Sequence, residues 1–261
     1  MYTYHVTDGY LYITIKTNLV IGEHDQLEFF IQENMTPDNK GVILDLLGTD
    51  YIDSSGISTI LRIRKMLSDV SKDLRLLIDN ERMEKVIRVS RLDKILITAK
   101  DMDTLMEDVI NEEEDEFSVK EYKLVIPSEY IYIRVVQDFV LKIMQNTYNY
   151  SSTDEYDVKM SLEETLANSI EHGYKDFELD GLIQVLVLCH AEEMIVFIDD
   201  YGKGYDKDSI IEKVNTSLND PYGNRGRGFV ILHGITDEIH YDSVENKVSS
   251  VIIVKKMKIK E

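Results

Sequence analysis

The 261-residue chain predicts two folded halves: an α/β domain with a mixed sheet and helices, then an α+β two-layer sandwich. Three observations predict this. Apolar strand-like runs alternate with helical periodicities in the first half. In the second half, two helical stretches are grouped ahead of strands joined by short turns. Between the halves, Asn111-Glu112-Glu113-Glu114-Asp115-Glu116 is an acidic run with no apolar face, which reads as a solvated helix end leading into a linker. The expected domains are 1–111 and 119–261, with 112–118 as the linker.

The elements follow in order. Leu11 to Ile15 alternates as a strand does, and Val42 to Leu46 is a short apolar run suited to a strand buried on both faces. Leu74 to Ile78 is a third strand. Between the second and third, Ile57, Ile60, Leu61, Ile63 and Leu67 recur at helical spacing after Gly56. Further helical patterns cover His24 to Glu33, Asn80 to Val89 and Asp101 to Ile110. The second half opens with a strand at Tyr122 to Ile126 and helices at Ser128 to Asn146 and Thr153 to His172. Strands at Leu182 to His190 and Met194 to Asp199 flank the turn Ala191-Glu192-Glu193. A Gly-rich region precedes a helix at Gly228 to Ile235, and strands at Glu238 to Ser243 and Val248 to Val254 follow.

Composition narrows the function. With 43% hydrophobic and 30% charged residues, each half can bury a core. A formal net charge of −20 repels phosphate backbones and anionic lipid, which disfavours nucleic acid and membrane partners and favours a basic protein partner. No apolar run approaches the ~18–20 residues that span a bilayer. The N-terminal residues have no signal-peptide pattern, and Cys189 alone cannot build a disulfide framework, so a cytoplasmic protein is expected.

Two constellations carry chemistry. The first, Ile52-Asp53-Ser54-Ser55-Gly56-Ile57, stands between a buried strand and an amphipathic helix. In isolation, Asp-Ser-Ser is a helix cap. In this context it displays a hydroxyl at a strand-to-helix turn, where Gly56 is expected to leave room for another protein's active site. No Ser-His-Asp arrangement is evident nearby. The segment from Tyr51 to Gly56 resembles the phosphorylation site of STAS-domain anti-sigma-factor antagonists, a resemblance that extends over Tyr2 to Ile110. It implies that the phosphoacceptor is Ser55, with Ser54 the neighbouring candidate. One departure is Asn18-Leu19-Val20, where antagonists often carry an acidic residue.

The second constellation has three parts. Glu164 and Asn168, four apart on a helix, lie one turn from each other beside the stripe Leu162, Leu166 and Ile170. A carboxylate there can accept a proton, and an amide oxygen suits Mg²⁺. Asp200, at the end of an apolar strand, can accept a hydrogen bond from an adenine amino group, with Gly202 and Gly204 just beyond it. Gly226 and Gly228 lead into a helix N-terminus, which offers N–H groups to phosphate.

Each part alone is weak, but their order resembles the GHKL ATPases, in particular the anti-sigma-factor serine kinases, over Tyr122 to Lys256. The resemblance implies ATP and Mg²⁺ as cofactors, Glu164 as general base and Asn168 as Mg²⁺ ligand. It further implies that Asp200 contacts adenine, that Gly202 and Gly204 shape that wall, and that Gly226 and Gly228 hold the phosphates. Arg225 or Arg227 would stabilise the transferred phosphoryl group, and Tyr205 to Arg225 would form a lid.

Together the resemblances imply a partner-switching regulator, a serine/threonine kinase acting on a STAS serine to control a sigma factor or other output protein. Separate STAS proteins and a serine phosphatase are further partners, and a homodimer is compatible with the pattern. A flexible chain of about eight residues, as from Asn111 to Ser118, spans only ~15 Å, so transfer between protomers is expected. The alternative is a non-catalytic ATP- or ADP-sensing module that gates partner binding.

Overall fold

The computed structural model describes residues 2–22, 24, 26–107, 119–174, 181–202, 227–244 and 248–260; at 172 and 227–230 it describes the backbone alone. The chain divides into two compact units, 1–116 and 117–261. Among the described residues, no helix is long and apolar enough to cross a membrane.

The first unit is a five-stranded sheet of β1 (Thr3–Thr7), β2 (Tyr10–Thr14), β3 (Gly41–Asp45), β4 (Asp73–Leu77) and β5 (Ile97–Ala99), in that spatial order. The β1–β2 pair is antiparallel and the remaining pairs are parallel. Asp8 and Gly9, both at positive φ (51° and 87°), form the hairpin turn, as the twist of a two-residue connection demands. All of β3 is buried, as its unbroken apolar run requires. Helices α1 (Leu27–Asn34), α2 (Ser54–Ser68), α3 (Glu81–Val89) and α4 (Met102–Met106) accompany the strands. α4 is shorter than the expected Asp101 to Ile110, and 108–110 lie outside the described residues. The acidic linker also lies outside them.

Asp53 builds the start of α2. Its Oδ1 accepts from the Gly56 N–H at 3.0 Å, and its Oδ2 accepts from the Ile21 N–H at 3.0 Å. One carboxylate therefore caps the helix and ties it to the loop after β2. That loop runs beside the chain entering α2, through a parallel bridge between Leu19 and Ile52. The expectation for Gly56 needs correction here. A Cβ at this position would lie 2.5 Å from the Leu19 carbonyl oxygen and 2.6 Å from Ile52 Cγ1. Gly56 makes room for the protein's own loop, not for a visiting active site. Gly56→Ala is expected to destabilise this unit by about 2 kcal/mol, as overpacking does. Urea unfolding checks this, and a midpoint equal to wild type would contradict it.

The second unit is an antiparallel sheet in the order β10 (Glu238–Val244), β11 (Val248–Lys256), β9 (Glu193–Asp200), β8 (Leu182–Cys189), β6 (Lys120–Pro127). Helices α5 (Ile133–Thr147) and α6 (Ser152–Asn168) pack on one face. Val136, Val140, Leu162 and Leu166 meet Ile183 and Val185 of β8, Val196 and Ile198 of β9, and Val251 and Ile253 of β11. A two-stranded ribbon, β7 (Tyr148–Asn149) with β12 (Lys258–Ile259), adds a pairing that the sequence pattern did not suggest. Helix α7 (Arg227–Ile235) begins where the Gly-rich region ends.

Candidate nucleotide and phosphoacceptor sites

In the first unit, Ser54 and Ser55 open α2 behind the Asp53 cap. Ser54 is fully buried, whereas Ser55 is partly exposed. Of the two hydroxyls, Ser55 is the one that solvent or another protein can reach without unfolding the turn.

In the second unit, α6 starts at a capping box, in which Ser151 and Asp154 satisfy each other's backbone N–H groups. Its last two turns carry the residues expected at the nucleotide site. Leu162 and Leu166 face the core at 1% and 0% exposure. Glu164 and Asn168 lie beside that stripe, both half-buried. The helix does not run to His172 as the periodicity suggests. The α-helical pattern ends at Asn168, and Ser169 to Gly173 form a π turn. A single π turn widens the backbone and redirects it, and such turns recur at functional sites.

The reason for the turn lies at the end of β9. Side chains alternate along a strand, so Met194, Val196 and Ile198 face the helices and Asp200 continues their series. Asp199 faces the opposite side. Gly173 and Gly202 bring the π turn against the strand end. A Cβ at Gly173 would lie 2.7 Å from Asp200 Oδ1, and a Cβ at Gly202 would overlap the Gly173 carbonyl. Tyr174 stitches the junction. Its hydroxyl donates to the Leu182 carbonyl and accepts from the Tyr201 N–H at 2.6 Å.

Asp200 is 4% exposed. Burial pushes its carboxyl up to about 6. Three donors oppose that shift: the Gly202 N–H, at 3.3 Å from Oδ1, and the hydroxyls of Ser169 and Ser249. Ser249 stands opposite Asp200 in the β9–β11 register, and Ser250 stands opposite Asp199 and donates to its Oδ1. Each face of the sheet thus matches one aspartate with one serine. The Tyr174 phenol is pushed up to about 12, chiefly by burial and also by the Asp200 charge, so it stays neutral at physiological pH.

Of the expected nucleotide residues, Glu164 and Asn168 share one helix, while Asp200 and Gly202 lie where the turn after that helix meets β9. Arg227 and Gly228 head α7, where their backbone alone is described. Gly204, Arg225 and Gly226 lie outside the described residues, as does the expected lid. Motif reading passed over Ser169, Ser249 and Tyr174. The doubled Ser249-Ser250 opposite the doubled Asp199-Asp200 is the signal that could have found Ser249, since buried carboxylates need donors.

Comparison with known proteins agrees with this division. Residues 126–255 match the histidine kinase-like ATPase domain, and residues 2–108 match the STAS domain. An anti-sigma F factor of Clostridium novyi is 31% identical over 108 residues, covering 39% of this chain and 71% of that protein. One of Clostridium botulinum is 35% identical over 104 residues, covering 40% and 71%. A crystal structure of the RsbU and RsbW domains of a Mycobacterium tuberculosis protein is 12% identical, with a TM-score of 0.38, covering 54% of this chain and 33% of that one.

Proposed function

Because the chain belongs to the anti-sigma-factor family of histidine kinase-like ATPase domains, with a STAS domain in front, we propose that it is an ATP-dependent protein serine kinase that phosphorylates Ser55 of its own kind. The observation that carries this reading is a buried Asp200 at the end of β9, bonded by the Gly202 N–H and held against the turn that follows Glu164 and Asn168. A half-buried carboxylate and an amide oxygen one turn apart are oxygen donors, the kind that suit a nucleotide with Mg²⁺. Asn168 would hold the metal, which when bound offsets phosphate charge. Asp200 would accept from the adenine amino group, and Glu164 would take the proton of the acceptor hydroxyl.

Phosphate adds about −1.5 to −2 charge at neutral pH. On a chain already at −20 this would weaken any acidic contact made by Ser55, releasing or admitting an output protein such as a sigma factor. The test is to treat the full chain with ATP and Mg²⁺ at several protein concentrations and to map phosphoserine by mass spectrometry. Phosphate on Ser55 is the expected result. ADP binding with no phosphate on any serine would replace the kinase by the nucleotide-sensing module. Mixing a Ser55→Ala chain with a Glu164→Gln chain reads transfer between protomers directly.

Nucleotide affinity is expected to depend on pH with a defined sign. Only the carboxylate form of Asp200 is a full acceptor, so ADP affinity should fall as pH drops through about 6. The ligand-free unit should respond oppositely. Its Asp200 takes up a proton more readily folded than unfolded, so this group adds stability as pH falls from above 6 towards 4. Calorimetry with ADP between pH 5 and 8 checks the first effect, and Asp200→Asn should flatten it.

A further inference from the structure

Among the described residues, the edges of the two five-stranded sheets are β1 and β5 in the first unit, β10 and β6 in the second. Shortness and charge are the usual devices that keep an edge from pairing with another chain. β5 has three residues and runs into Lys100; β6 carries Lys120, Glu121 and Lys123; β10 carries Glu238 and Asp242. β1, Thr3-Tyr4-His5-Val6-Thr7, uses neither device: it has five residues and no Asp, Glu, Lys, Arg or Pro. Its Tyr4 and Val6 are 51% and 58% exposed. The hairpin fixes which backbone groups face outward. A two-residue loop closes on a hydrogen-bonded pair, here Thr7 with Tyr10, and such pairs alternate with open ones, so Tyr4 and Val6 turn their N–H and C=O groups to the open edge.

We propose that this edge joins two copies of the chain, β1 against β1, in an antiparallel pair centred on His5. The strand is complementary to itself in that register. Thr3 meets Thr7, Tyr4 meets Val6 and His5 meets His5 of the second copy, so the two residues with outward-turned groups bond to each other on both sides of the dyad. The Tyr4 and Val6 side chains then meet on the face where Tyr4 already packs edge-on against Phe30 of α1, with ring centroids 5.5 Å apart. Charge selects the occupant. A chain at −20 is repelled by its own copy over most of its surface, and a basic partner is drawn to the acidic surface, not to an uncharged strand. The uncharged, self-complementary edge is where a second copy fits. The inference is independent of the nucleotide reading.

The test uses the full chain. Light scattering across a concentration series is expected to give the mass of two chains. Val6→Lys, which places a charge on the edge at an exposed position, is expected to shift the mass to that of one. Crosslinking reads the register. In the proposed pair the two copies of residue 5 lie about 4.5 Å apart between Cα atoms, within the range that a disulfide bridges. Mild oxidation of native His5→Cys is therefore expected to make the disulfide-linked dimer the main species. The two copies of residue 7 lie about 14 Å apart, four residues out of step, so Thr7→Cys is expected to stay uncrosslinked. Cys189 is buried and takes no part. The mass of a single chain at every concentration overturns the proposal. So does a dimer that Val6→Lys leaves intact, which places the contact elsewhere, and so does Thr7→Cys crosslinking as readily as His5→Cys.

Discussion

Glu164→Gln is expected to slow phosphoryl transfer by about 100- to 10,000-fold, the usual contribution of a general base, while nucleotide affinity stays within about twofold of wild type. The amide has the size of the carboxylate and fits the same half-buried place on α6, so packing and the adjacent Asn168 are undisturbed. What is lost is proton affinity. Calorimetry with ADP reports the binding, and phosphate incorporation per chain reports the rate. A variant that transfers phosphate at nearly the wild-type rate removes Glu164 from the mechanism.

The second large effect is expected at Gly202. Its Cβ would overlap the Gly173 carbonyl, and both partners are backbone, so no flexible side chain can give way. Gly202→Ala must push the end of β9 away from the π turn. That separation removes the Gly202 N–H bond from Asp200 Oδ1. Losing a hydrogen bond to a charged group weakens ADP binding about 10- to 100-fold. The rest of the sheet, with the core under α5 and α6, should keep its fold, so circular dichroism should change little. ADP affinity close to wild type would show that the contact between the two glycines does not support the site.

Much of this was legible in the sequence because it rests on periodicity. The run from Val42 to Leu46 could only be a strand covered on both faces. The stripe Leu162, Leu166, Ile170 set the buried side of α6 and with it the placement of Glu164 and Asn168. Short edge elements were less legible. β1 is exposed along most of its length and shows no apolar face, and β5 has three residues. The β7–β12 ribbon is two residues deep and joins segments about 110 residues apart, a distance at which local pattern carries no signal. The π turn was hidden for another reason: it is imposed by Gly173 and Gly202 touching across the fold, while Ser169, Ile170 and Glu171 are themselves compatible with an α-helix. Gly56 was misread on the same ground. Its neighbour is Leu19, brought there by tertiary structure alone.

The paired doublets at the strand ends bear on how the chain reaches its fold. In the native register Asp200 meets Ser249 and Asp199 meets Ser250. A slip of β11 by two residues keeps every side chain on its proper face, so the apolar core alone would barely discriminate against it. The slip would, however, set Asp200 against Val251 and Asp199 against Ile252, leaving two desolvated carboxylates facing hydrocarbon, each at a cost of several kcal/mol. Asp200, the residue proposed to read the base, and its neighbour Asp199 therefore act as a check on assembly. Variants that neutralise both aspartates should lose this check as well as their ligand, and refold into a mixture of strand alignments where the native chain yields one.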